Sequence, residues 1–69
     1  MKISARNVLK GRVTRIVDGA VNCEVTIEIA PGVEVVSIIT KSSVESLGLA
    51  VNGEAFAVIK ASSVMVAVD

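Results

Sequence analysis

The residues best equipped to do chemistry in this chain sit in two short polar segments near its ends, Ser4-Ala5-Arg6-Asn7 and Lys60-Ala61-Ser62-Ser63. Each combines one cation with side-chain hydroxyls or an amide and a run of backbone N–H groups, and neither contains a carboxylate. Donors of this kind grip an oxyanion through charge-assisted hydrogen bonds. They are not the groups that break a bond. Taken singly, the same residues are ordinary. Arg6 reads as a solvated surface charge, Lys60 as a cation at a strand end, and Ser62-Ser63 as turn chemistry. Only their combination points to an anion.

Little else in the chain is chemically equipped. Glu24 and Glu28 lie four residues apart on one strand face with no nucleophile beside them, so they form no acid–base pair and no enzyme is expected. Cys23 is the sole cysteine, which excludes a disulfide, and its apolar neighbours on the same strand parity make it a core residue. With no histidine and one thiol, a structural zinc site is not expected either.

Length and composition then ask how so small a chain holds itself together. Its 69 residues make one domain, residues 1–69, and 52% of them are hydrophobic. A core of that size rarely supplies more than about 3–5 kcal/mol. Self-association is the remaining way to stabilise it and to hide the apolar surface. Seven basic and seven acidic residues cancel, and Phe56 is the only aromatic, so a nucleic-acid surface is not expected. No apolar run reaches the roughly 18–20 residues of a membrane span, and the N-terminus lacks the apolar stretch of an export signal. The expected compartment is the cytoplasm.

The elements that must position the two polar segments are mostly strands, because valine and isoleucine dominate. Val8–Val17 reads as a long strand with mixed parity, which predicts a bulge at Gly11. Asp18-Gly19 predicts a two-residue hairpin turn into Val21–Ile29, where Val21, Cys23, Val25, Ile27 and Ile29 alternate with Asn22, Glu24, Thr26 and Glu28. Pro31-Gly32 marks the next turn. Val33–Thr40 follows, apolar on both faces, with its second cover expected from another subunit. Ser42 and Ser43 are N-cap candidates for a two-turn helix, with a Ser42-x-x-Glu45 capping box and Gly48 as its terminator. Asn52-Gly53 turns the chain into Glu54–Lys60, and Val64–Val68 is the last strand. Met65, on the opposite parity of that strand, is expected at an interface. This order predicts an all-β fold, a small OB-like five-stranded Greek-key barrel with one short helix between strands 3 and 4. An SH3-like barrel is the alternative.

Ser-Ala-Arg-Asn, Leu9-Lys10-Gly11, the following hairpin, Ser37-Ile38-Ile39-Thr40, and Lys60-Ala61-Ser62 before a valine-rich strand together resemble the molbindins. These are the single-domain Mop (TOBE-type) molybdate-binding proteins, and the resemblance spans essentially the whole chain. It implies an OB-like barrel assembled as a hexamer, a trimer of dimers, that holds molybdate or tungstate between subunits for storage and homeostasis of molybdenum. Carried over to this sequence, the anion-contacting positions are Ser4, Arg6, Thr40, Lys60, Ala61 and Ser62. Ala5 and Asn7 belong to the motif with a weaker claim to direct contact. Thr40 by itself reads as a helix-entry residue or a strand hydroxyl. Molybdenum would be bound as its oxyanion, with no direct metal ligand and no cofactor. The family also has a second class of site near a threefold axis, which the sequence does not place. The competing reading is a small barrel that serves as an oligomerisation or protein-interaction module without a specific small ligand.

Overall fold

Branched side chains and four turns organise the chain into one curled antiparallel sheet. The computed structural model describes every residue from Met1 to Asp69. Strands β1 (Asn7–Asp18), β2 (Asn22–Ala30), β3 (Val33–Thr40) and β4 (Glu54–Ile59) pair in the order β3-β2-β1-β4. Helix α1 (Lys41–Leu47) links β3 to β4, and a single 3-10 turn, Ala61–Ser63, follows β4. The fold is all-β, an OB-like half-barrel, as the sequence predicts. Val13, Val25, Ile27 and Ala57 form the buried cluster inside the curl, with Cys23 buried beside Asp18. Burying a Val or Ile side chain contributes about 1.5–3 kcal/mol. Only six of the 69 residues are buried, so the single chain is short of core.

Several local expectations shift. The irregularity in β1 falls between Val13 and Arg15, at Thr14, and not at Gly11. Two contacts hold it there. The Asn52-Gly53 turn bonds the Val13 backbone on one side, through Val13 N to Gly53 O at 2.9 Å and Asn52 N to Val13 O at 2.7 Å. The Thr14 hydroxyl donates to the Glu34 carboxylate at 3.4 Å. Gly11 has a different task. A Cβ there would lie 2.5 Å from the Glu28 carbonyl oxygen, so glycine is needed for β2 to approach. Gly11→Ala should therefore destabilise the protein by about 1–3 kcal/mol, the scale of overpacking, and lower its melting temperature.

The β1–β2 connection is longer than a two-residue turn. Asp18 remains paired with Cys23, and the Gly19 N–H closes the loop on the Asn22 carbonyl at 2.8 Å. Val21 thus lies in the loop, exposed, instead of in the core. Thr26, expected on the wet face, is buried because it stands on a central strand between Arg15 and Val36. The N-cap of α1 is Thr40, not Ser42 or Ser43. Its hydroxyl accepts the Ser43 N–H at 3.1 Å, which places both serines inside the helix. Gly48 ends the helix as expected, in the left-handed region at φ 64°, with the Leu49 N–H returning to the Val44 carbonyl.

The fifth strand does not pair within the chain. Val64–Val68 carries no regular structure, and Met65, Val66 and Val68 are 95%, 89% and 93% exposed. Both edges of the sheet, β3 and β4, stay open.

Candidate oxyanion site

Antiparallel pairing of β1 with β4 is what joins the two polar segments. Asn7 lies opposite Ile59 at the end of the ladder, so the chain before Asn7 and the chain after Ile59 emerge side by side. Ser4, Ala5, Arg6, Lys60, Ala61 and Ser62 line one shallow concavity of about 610 Å³, together with Ile3 and Val58. Six of the eight residues singled out from sequence therefore meet. Ile3 and Val58 were missed. They carry no polar group to flag them, and only the strand register brings Val58 to this wall.

The concavity is rich in uncommitted donors. The two ion pairs of the chain are Lys10–Glu54 and Arg12–Glu28, which leaves Arg6 and Lys60 without carboxylate partners. After Lys60 the chain turns, with Ser63 N donating to Lys60 O at 2.8 Å and Val64 N to Ala61 O at 3.2 Å. The N–H groups of Ala61 and Ser62 open this turn and are not used by it. No Asp or Glu lines the wall. Two cations, two serine hydroxyls and the N–H groups that open the turn make an environment for an anion that only accepts hydrogen bonds.

The other two residues lie elsewhere. Asn7 does not line the concavity; its Nδ2 donates to the Ile59 carbonyl at 3.2 Å. Thr40 ends β3, on the opposite edge of the sheet from β4, and its hydroxyl is engaged with Ser42 at 3.2 Å and Ser43 at 2.7 Å. Within one chain, Thr40 is not part of the site.

A second groove, of about 560 Å³, runs along the open mouth of the half-barrel. Thirteen of its 14 lining residues are hydrophobic, Phe56 among them, and Ser37 is the exception. Neither Lys nor Arg lines it. Cys23 is buried, its thiol donating to Asp18 Oδ1 at 3.2 Å. Burial raises its pKa above the ordinary value, and the Asp18 bond acts in the same direction, consistent with a core thiol.

Residues 3–66 match the TOBE domain family. The chain is 51% identical over 69 residues, the full length of both, to a probable molybdenum-pterin-binding protein of Haemophilus influenzae. It superimposes on MopII from Clostridium pasteurianum, in an apo form, with a TM-score of 0.90 and 46% identity, covering 97% of this chain and 100% of that one. The molybdate-bound structure of the cytoplasmic molybdate-binding protein ModG aligns with a TM-score of 0.84 and 49% identity, over 88% of this chain and 43% of that one. The chain belongs to the TOBE domain family and is of the molbindin type.

Proposed function

We propose that this protein binds molybdate, and tungstate with it, as the intact oxyanion, and serves as a cytoplasmic store and buffer for molybdenum. The observation that carries this reading is the convergence of Arg6 and Lys60, both free of carboxylates, on a wall of hydroxyl and N–H donors. Molybdate is a tetrahedral dianion whose four oxygens accept hydrogen bonds and donate none. The names of the relatives carry a pterin as well, but this wall has no aromatic side chain on which a pterin ring could stack. The role is binding, not catalysis.

The site is completed by other copies of the chain. The exposed tail Val64–Val68 matches the apolar groove in chemistry, and the open edges β3 and β4 offer it backbone partners. The groove reaches β3 through Val36, and Ile38 on the same strand is exposed beyond its lining. Exposed apolar side chains both inside and beyond the groove leave room for two kinds of contact, as a trimer of dimers requires. Such packing would bring Thr40 of one copy to the Arg6–Lys60 wall of another.

Thermal melts at matched ionic strength test the ligand. Molybdate and tungstate should raise the melting temperature alike, because they share charge, shape and nearly the same size. Phosphate should do little near neutral pH, because it keeps a proton that finds no carboxylate acceptor, and an unpaired buried polar group costs about 1–3 kcal/mol. Equal stabilisation by phosphate would point to an unselective anion site. No response to any of the three by an intact oligomer would favour a pure assembly module.

A further inference from the structure

We propose that Asn7 is the positioning residue of this site: it fixes the spacing of the two donor arms without touching the anion, and so sets which size of anion fits. The proposal rests on the oxyanion reading above. Asn7 and Ile59 are the last registered pair of β1 and β4, and beyond them the chain departs as Arg6 on one side and Lys60 on the other. The bond from Asn7 Nδ2 to the Ile59 carbonyl, 3.2 Å and partly buried, is the one side-chain hydrogen bond that ties the two segments together. That carbonyl shares a planar peptide unit with the Lys60 N–H. Holding it fixes the tilt of the plane from which Lys60 and the Ala61–Ser63 turn depart.

No other side-chain hydrogen bond restrains the arms from within the chain. Lys60 makes no side-chain cap bond to the turn it precedes, and neither cation is held in an ion pair. A loose Arg and Lys would close on any dianion. A fixed separation favours the larger molybdate over sulfate, whose oxygens sit closer to their centre. Asn7 thus acts through Lys60 and the turn, with an amide N–H committed to the Ile59 carbonyl and the residue outside the lining of the concavity.

Calorimetric titration of the intact oligomer with molybdate and with sulfate tests this in the parent, Asn7→Ala, Asn7→Ser and Lys60→Ala. Asn7→Ala should weaken molybdate about 3–10-fold, the scale of one hydrogen bond. Sulfate should weaken less or bind better, so the molybdate-to-sulfate ratio falls. Asn7→Ser keeps a short donor, should fall between, and carries the test if the alanine variant does not assemble. Lys60→Ala should weaken both anions by a similar factor and leave the ratio near that of the parent. A merely structural role for Asn7 would lower the melting temperature and leave the ratio unmoved, and that result overturns the proposal. Equal losses on both anions, as for Lys60→Ala, would make Asn7 a direct ligand and overturn it too. A parent that binds neither anion would instead overturn the oxyanion reading on which it stands.

Discussion

Removing Val64–Asp69 should leave a chain that neither assembles nor stays folded on its own. The tail presents Val64, Met65, Val66 and Val68 to solvent, and the half-barrel presents a groove that is almost wholly apolar. Burying each such side chain contributes about 1.5–3 kcal/mol. Two or three of them per subunit thus amount to a large share of the roughly 5–15 kcal/mol that stabilises an ordinary domain. Light scattering on the parent should give about six times the chain mass of 7.1 kDa. The truncated chain should scatter as a monomer or aggregate, with its cooperative melt lost. Val66→Asp is a milder version, placing a charge where an apolar contact is needed, and should shift the same equilibrium. A truncated chain that keeps the parent's mass and melting temperature would remove the tail from the assembly.

The second large effect belongs to the cations. Arg6→Ala and Lys60→Ala should each weaken molybdate by about 1.5–3 kcal/mol, the range for a hydrogen bond to a charged group. That corresponds to roughly 10- to 150-fold in the dissociation constant. The double variant should lose less than the sum, because both groups serve one ligand and their contributions couple. Glu24→Ala, on the outer face of β2 away from the lining, is the control and should bind as the parent does. Calorimetry that found the Arg6 and Lys60 variants unchanged would detach the function from this wall.

These expectations differ in how far they could be read before the structure. Alternation along β2 gave Cys23, Val25 and Ile27 as core, and all three are buried. Turn chemistry located Pro31-Gly32 and Asn52-Gly53, since Gly32 and Asn52 have positive φ. The polar segments were legible because two donor-rich patches without a carboxylate stand out in an apolar chain. What failed depended on partners distant in sequence. The bulge settled at Thr14 because the Asn52-Gly53 turn bonds Val13, some forty residues away, a contact no local pattern carries. The N-cap is a local exception: Thr40, which by itself reads as a helix-entry residue, takes the role from Ser42 and Ser43 by accepting the Ser43 N–H where β3 ends. The tail has strand composition, yet composition cannot say which copy of the chain supplies its partner.

The central claim is that the anion sits between Arg6 and Lys60, and anomalous diffraction from crystals grown with molybdate tests it most directly. The molybdenum peak should fall in the Ser4–Arg6 and Lys60–Ser62 concavity, its oxygens about 2.7–3.2 Å from the donors, the usual hydrogen-bond range. Thr40 of a second copy should close the shell. Molybdenum found only elsewhere, with Arg6 and Lys60 left in solvent, would contradict the account.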